Sequence, residues 1–207
     1  MIVYVESNFV LELALDQEQG QAAQAILTLA AGGALRLVVP AFALSEPFAT
    51  INYRGSEREK FIVAQAQQER DLDRSTLHKD VAAQLRLIRP ILSEVRKTQM
   101  NALADVVARL LSVGEMAALG LSTYQQAREY EVVSSLSPQD AIIYATVVAH
   151  LQQQNPSEAK CFLSRDSKGF DQPALKTQLG QFNCRYISNF DDGLRYIQSN
   201  LASPAPA

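Results

Sequence analysis

The chain is poor in the residues that build ready-made metal and redox sites. Its 207 residues include two cysteines, two histidines and no tryptophan. His78 and His150 stand far apart, and neither has a metal-type spacing to a cysteine, so a zinc-type site is excluded. Cys161 and Cys184 each lie in an apolar segment. We therefore expect them to be reduced core residues rather than a disulfide pair.

Long apolar runs are also absent. The run Met1–Val5 is too short to cross a membrane, and no basic stretch precedes it as in a signal peptide. Together with reduced cysteines, this predicts a cytoplasmic protein with no membrane partner. The chain length and the hydrophobic content of 47% suit one domain with a substantial core.

An excess of basic residues is missing as well. The formal net charge of -3 gives no support for a strongly basic nucleic-acid-binding protein. The charge is uneven, because residues 54–110 carry eleven Lys and Arg against eight acids, whereas residues 1–53 carry one against five. This locally positive middle is compatible with a solvated helical surface or with a phosphate-binding face.

Glycine and proline are scarce in the middle of the chain. Residues 56–112 contain no glycine and only Pro90, and their apolar residues follow a helical period. This predicts two or three long amphipathic helices, and a shorter helix over 115–130. We therefore expect a helical insertion over about 56–130. In the helical segment before it, Pro47 is expected to break or kink the helix.

Short β-branched and aromatic runs alternate with helical patterns in the rest of the chain. Strands are predicted at 2–5, 35–39, 160–164 and 184–188, with a brief strand or extended link at 131–136. This alternation predicts an α/β fold, a three-layer α/β/α arrangement around a central parallel sheet of about four to five strands. The tail 201–207 is predicted to be disordered.

Helix-capping residues mark the starts of two predicted helices. Ser7 or Asn8 is expected to cap the first helix, and Ser137 the helix after 131–136, with Pro138 at its first position. Asp140 then falls at the third position and completes a capping box. Helix capping is therefore a structural explanation for Asp140.

Acidic residues follow the predicted strand ends throughout the sheet. They are Glu6 after the first strand, Glu46 after the second, Asp140 in the helix after 131–136, and Asp166 and Asp171 after the strand at 160–164. Because the carboxyl ends of parallel strands meet at one edge, where open α/β sheets bind ligands, we expect these acids to converge. Clustered carboxylates need protons or cations to offset their repulsion. Mg²⁺ or Mn²⁺ suits an all-oxygen site.

Each acid also has a simpler explanation. Asp140 could only cap its helix, Asp166 could be a turn residue, Glu46 could lie on a helix surface, and Glu6 could favour a helix start through the macrodipole. These explanations do not account for an acid at every strand end. The joint pattern favours a metal site.

The order and spacing of four motifs resemble those of PIN-domain nucleases. The motifs are "VYVESNFVLEL", "FALSEPFAT", "LSPQDAIIYATVVAH" and "FLSRDSKGFD". The resemblance covers about 1–53 and 131–200, and residues 56–130 are longer than compact toxin-type PIN domains need. It implies a PIN-like fold and Mg²⁺- or Mn²⁺-dependent hydrolysis of phosphodiester bonds in RNA, the metal ions activating a water and stabilising charge on the reacting oxygens.

Carried over by position, the resemblance assigns roles to individual residues. Glu6, Glu46, Asp140 and Asp166 would form the catalytic acidic pocket. Glu6, Asp140, Asp166 and Asp171 would bind the metal, with Asn8 and Ser164 as accessory polar groups. RNA phosphates would contact the basic residues Arg54, Arg58, Arg165 and Lys168. A homodimer and, in a toxin–antitoxin pair, an antitoxin-like protein are further expected partners.

One departure from the family pattern opens an alternative. The first acid is normally aspartate, and Glu6 is longer by one methylene, which displaces an oxygen from the strict octahedral geometry that Mg²⁺ requires. The alternative is a catalytically weak or inactive PIN-like module that binds RNA or a protein. An aspartyl-phosphate phosphatase would need an aspartate where Glu6 stands. A dinucleotide-binding dehydrogenase would need a glycine-rich turn after a strand, and Gly32-Gly33 precedes one.

Overall fold

The computed structural model describes residues 1–202 and shows an α/β protein with a five-stranded, all-parallel sheet. The strands are β1 Ile2–Val5, β2 Arg36–Pro40, β3 Glu115–Ala117, β4 Lys160–Leu163 and β5 Cys184–Ile187. The helices are α1 Ser7–Leu15, α2 Gly20–Ala31, α3 Ser45–Asp73, α4 Lys79–Val113, α5 Leu121–Val133, α6 Pro138–Leu151, α7 Ser167–Phe170, α8 Pro173–Gln181 and α9 Phe190–Ala202, and a 3₁₀ turn at Ala41–Leu44 leads into α3. No helix within residues 1–202 is long and apolar enough to cross a membrane.

The strand order β3-β2-β1-β4-β5 places a topological switch between β1 and β4. The chain winds outward from β1 to β2 and β3, then crosses to the other side of β1 and continues through β4 to β5. Open parallel sheets bind ligands at such a switch, beyond the carboxyl ends of the strands. The register pairs Val5 with Leu163, so the residues that follow β1 and β4 leave the sheet side by side.

Apolar residues pack against both faces of the sheet. Val3 and Val5 alternate with Ile2 and Tyr4, as the two-residue period of a strand requires, and all four are fully buried. The first pair belongs to an apolar cluster with residues of α1, α2, α4 and α9, and the second to a cluster with residues of α6 and α8. This arrangement is compatible with the predicted three-layer α/β/α fold. Cys161 and Cys184 are free and buried, as expected.

The middle of the chain forms a long helical hairpin. Helices α3 and α4 pack antiparallel and are joined across the hairpin by the ion pairs Glu69–Arg86 and Glu59–Arg96. The sequence predicts two or three helices here, and two are present. Pro90 lies inside α4. The range 56–130, predicted as a helical insertion, also contains β3.

One prediction for the region after the hairpin is wrong, and another is correct only in part. The fifth strand is β3, where a helix was predicted from residue 115. Of the segment 131–136, predicted as a brief strand or extended link, residues 131–133 end α5 and residues 134–136 link it to α6. A three-residue edge strand shows no periodicity, and Val132 and Val133 are exposed on α5 rather than buried in a sheet. Gly114 allows the turn into β3, since a Cβ there would lie 3.0 Å from the Leu110 carbonyl oxygen.

Two local predictions near the sheet edge are also wrong. Helix α1 is capped by Glu6, not by Ser7 or Asn8. Pro47 does not break its helix, because it is the third residue of α3, where a backbone N–H would have no partner in the helix. The predicted cap Ser137 is confirmed, with Pro138 beginning α6. Of the tail predicted to be disordered, residues 201–202 end α9, and residues 203–207 lie outside the described part of the chain.

Candidate active site

Glu6 lies directly beyond β1 and is almost completely buried, with 2% of its surface exposed. Its Oε2 accepts a hydrogen bond of 2.8 Å from the backbone N–H of Asn8, which caps α1. Burial raises the pKa of Glu6 to about 7, although hydrogen bonds from Asn8, Ser7 and Ser164 oppose this shift. The second oxygen, Oε1, is buried and has no hydrogen-bond partner. A buried carboxylate oxygen in this state attracts a proton or a cation.

Ser7 joins Glu6 to Glu46. Its Oγ lies 2.8 Å from Glu6 Oε2 and 2.7 Å from Glu46 Oε2. A hydroxyl has one hydrogen and can donate to only one of these oxygens, so the other contact requires a proton on a carboxyl group. The raised pKa of Glu6 favours such a shared proton near neutral pH. Glu46 reaches this position because the 3₁₀ turn Ala41–Leu44 directs the start of α3 towards α1.

Asp140 lies in the first turn of α6 and accepts a hydrogen bond of 2.5 Å from the Ser137 hydroxyl. Burial raises its pKa, Ser137 opposes the shift, and the charges of Asp166 and Glu46 raise the pKa further. The capping role predicted for this segment and an electrostatic role in a carboxylate cluster therefore coexist. The influence of Asp166 and Glu46 on Asp140 is compatible with the expected approach of acids from three chain segments.

Asp166 follows β4 and caps the short helix α7. Its Oδ1 accepts hydrogen bonds of 3.1 Å from the backbone N–H groups of Lys168 and Gly169, and its own N–H donates to Ser164 Oγ. The other oxygen, Oδ2, faces Asp140. A Cβ on Gly169 would lie 2.5 Å from Asp166 Oδ2 and 3.5 Å from Asp140 Oδ2. The absence of a side chain at Gly169 thus leaves room between the two carboxylates.

We define the carboxylate cluster as Glu6, Glu46, Asp140 and Asp166. None of the four forms an ion pair with any residue in 1–202. Within the same range, no group of three or more His, Cys, Asp or Glu is arranged so that it could hold one metal ion directly. The donor set still fits a hard cation held by two carboxylates and completed by water, as Mg²⁺ prefers. The unpartnered Glu6 Oε1 provides one free ligand atom.

The remaining predicted ligand and accessory groups lie around this cluster. Ser164 is fully buried and supports Glu6 and Asp166 by hydrogen bonds, and Asn8 supports Glu6. Asp171 does not join the cluster by direct contact, because it forms an ion pair with Lys176. It would have to exchange this partner to become a metal ligand.

The four predicted phosphate contacts differ in their availability. Arg165 forms ion pairs with the buried Glu12 and with Glu18, so it holds the loop after β4 against α1. Arg58 donates a hydrogen bond to Gln99 of α4. Arg54 and Lys168 form no ion pair with any described residue. Lys168 lies two residues after Asp166, and its backbone N–H donates to the Asp166 carboxylate.

Three further residues at the site are not among the predicted ones. Ser7 bridges two acids, Gly169 leaves space between two others, and the Tyr186 hydroxyl contacts the carbonyl oxygens of Ser164 at 3.2 Å and Asp166 at 3.3 Å. Burial raises the pKa of Tyr186, and the charges of Asp171, Asp166 and Glu6 raise it further. The position of Ser7 directly after Glu6 was the only sequence signal available. No family model, curated protein or solved structure matches this chain.

Proposed function

We propose that this protein is a PIN-like ribonuclease that hydrolyses RNA phosphodiester bonds with Mg²⁺ or Mn²⁺ at the carboxylate cluster. The observation that carries the proposal is the uncompensated charge at the switch point between β1 and β4. Four acids lie on the segments around it, none of them forms an ion pair with a residue in 1–202, and within that range Glu6 Oε1 is buried without a hydrogen-bond partner. A resident divalent cation would supply both the missing positive charge and an activated water.

The chain's own residues have distinct tasks in this proposal. Asp140 and Asp166 lie beside the space at Gly169 and would hold the cation there, and each is fixed by a hydrogen bond from its own capping segment. The Ser7 hydroxyl contacts both Glu6 and Glu46, so these two acids would hold or give up a proton as a pair. The Ser164 hydroxyl accepts a hydrogen bond from the backbone N–H of Asp166 and positions that residue.

A second candidate function is an inactive PIN-like module that binds RNA or a protein without cutting. Two observations favour it: Glu6 is occupied as the helix cap of α1, and no three acids are arranged to hold one ion directly. If Glu6 keeps its proton and its cap contact, the site would take up no divalent cation and would supply no activated water. The two candidates differ in whether the cluster takes up a divalent cation.

The test is cleavage of a labelled single-stranded RNA with Mn²⁺ and with EDTA. We expect cleavage only with Mn²⁺, and a loss of at least about 100-fold in Asp140→Asn and in Asp166→Asn, because removing a ligand costs more than removing a supporting group. Asp71→Asn is the matched control, since Asp71 is exposed on α3 and far along the chain from the cluster. If both cluster variants cut as well as the parent protein, the proposal fails.

A further variant separates the two candidate functions. Glu6→Asp introduces the residue that PIN nucleases normally carry, and aspartate keeps the ability to cap α1 while it shortens the side chain by one methylene. A rise in Mn²⁺-dependent cleavage would show that the parent site is active but attenuated by Glu6. A parent protein and a Glu6→Asp variant that both bind RNA and never cut it would support the inactive module.

A further inference from the structure

A groove lined by basic and aromatic side chains, with Asp171 and Asp192 beside them, runs along the outer edge of the sheet. Its volume is about 620 Å³, and its main side chains, which define the β5 groove, are Lys176, Arg185, Tyr186, Arg195 and Tyr196. A second cavity of about 470 Å³ shares four of these residues and continues the groove to Asn183. Strand β5 is the last strand of the sheet, so this side of it is not covered by another strand.

The positive charges of the groove are unequal in their availability. Lys176 pairs with Asp171, and Arg195 pairs with Asp192. Arg185 forms no ion pair with any residue in 1–202, and its guanidinium lies 5.4 Å from the centre of the Tyr196 ring. A guanidinium held over an aromatic ring, with its hydrogen-bond donors free, is suited to a phosphate group.

Tyr186 links the lining of the groove to the loop that carries Asp166. Tyr186 lines the groove, and its hydroxyl donates to the carbonyl oxygens of Ser164 and Asp166. Asp171 lies at the same end of the groove, beside Lys176. A chain bound along β5 would therefore lead directly to the carboxyl ends of the strands.

Basic groups that alternate with aromatic rings are the usual features of a binding path for single-stranded nucleic acid. The cations contact phosphates, and the rings stack with bases whose faces a duplex would hide. Strand β5 has four residues, so this path is about 13 Å long. Among residues 1–202 its Arg185 has no ion-pair partner, and the path is long enough for a short segment of a single strand.

We infer that the β5 groove binds a single-stranded RNA segment and guides it to the carboxylate cluster, with Arg185 contacting a phosphate and Tyr196 stacking with a base. The part of this inference that leads the RNA to the carboxylate cluster rests on the proposed function, whereas binding in the groove does not. Binding in the groove needs neither a metal ion nor cleavage, so it can be measured without either.

The experiment is a fluorescence anisotropy titration of a short labelled single-stranded RNA in EDTA, at several salt concentrations. Arg185→Ala is expected to weaken binding and to reduce the slope of log Kd against log salt by about 1, as the loss of one phosphate contact requires. Tyr196→Leu is expected to weaken binding about tenfold without changing this slope, because stacking carries no charge. Tyr196→Phe keeps the ring and should bind like the parent protein.

The matched control is Arg74→Ala, which removes an exposed cation at the far end of the hairpin. Equal Kd values and slopes for the parent, Arg185→Ala and Tyr196→Leu would overturn the inference, as would tighter binding of a duplex of the same sequence. Failure of the proposed function looks different. In that case the RNA still binds in an Arg185-dependent manner in EDTA, and no variant cuts it with Mn²⁺.

Discussion

Glu6 and Glu69 are both buried glutamates, but their surroundings have opposite chemistry. Glu69 lies between the two hairpin helices, is 8% exposed and forms ion pairs with Arg86 and Arg89. Glu6 lies at the end of β1, is 2% exposed and has only hydrogen-bond donors around one of its oxygens. The first carboxylate is neutralised by the fold, whereas the second is left for a proton or an external cation to neutralise.

The same contrast extends to the regions around the two residues. The sheet has apolar residues on both faces, and the acids of the carboxylate cluster follow the carboxyl ends of its strands. The outer hairpin is the part of α3 and α4 nearest the turn that joins them. Gln65 and Glu69 are buried there, while Leu77 and Leu87 are 86% and 69% exposed. Charges in the hairpin therefore serve its assembly, and charges at the sheet edge are free to serve chemistry.

The largest expected effect comes from removing the uncompensated charge with Glu6→Gln. An unfolded glutamate loses its proton near pH 4.5, whereas burial raises the pKa of folded Glu6 to about 7. Between these values the folded protein keeps a proton that the unfolded chain has released, so stability falls as pH rises. The cost above pH 7 is about 3 kcal/mol relative to acid pH.

Glu6→Gln should abolish this pH-dependent loss. Urea unfolding in EDTA at about pH 5 and about pH 8 measures the difference in the free energy of unfolding between the two pH values. At the higher pH, the free energy of unfolding of the variant should exceed that of the parent. Glu94→Gln, on the exposed surface of α4, is the matched control and should leave the loss unchanged. If the stability of Glu6→Gln depends on pH in the same way as that of the parent protein, burial does not raise the pKa of Glu6.

The next effect comes from filling the space between Asp140 and Asp166 with Gly169→Ala. The added Cβ would lie 2.5 Å from Asp166 Oδ2, so the carboxylate must move. We expect Mn²⁺ affinity and cleavage to fall about tenfold, the cost of disturbing a ligand's support. Gly180→Ala is the control, because nothing lies within 4 Å of its added Cβ. Equal Mn²⁺ affinity in both variants would place the cation elsewhere.

The smallest and most local effect comes from removing the compensated charge with Glu69→Gln. Arg86 and Arg89 then lose their common partner, so the helices separate more often. Hydrogen–deuterium exchange should become faster in the outer hairpin and stay unchanged in β1 and β4. Equal acceleration in the sheet would contradict the division of the molecule into two regions.

The sequence patterns that predict this fold are those with a physical period. Four strands and the convergence of the acids follow from buried apolar runs and from the geometry of parallel sheets. Strand β3 could not be predicted, because three residues at a sheet edge show no period and depend on pairing with β2. Glu46 meets Ser7 only through the 3₁₀ turn before α3, a tertiary arrangement that spacing along the chain does not show.

The carboxyl groups themselves were predictable, but their partners were not. The spacing of Asp171 suggests another ligand, and its ion pair with Lys176 depends on how α8 packs beside β5. Arg165 likewise looks available in the sequence, yet Glu12 one helix away neutralises it. Whether a charge is free is decided by contacts between distant segments. The different partners of Glu6 and Glu69 therefore cannot be read from the sequence.

The most direct measurement is a calorimetric titration with Mn²⁺ below the Glu6 pKa of about 7, in two buffers that differ in ionisation enthalpy. The parent protein should bind Mn²⁺ and release a proton to the buffer, because the cation displaces the proton that Glu6 holds. Glu6→Gln should bind with less proton release, Asp140→Asn should not bind, and Glu69→Gln should behave like the parent. A parent protein that takes up no Mn²⁺ at millimolar concentration, or that binds it equally well as Asp140→Asn, would contradict a cation site at the carboxylate cluster.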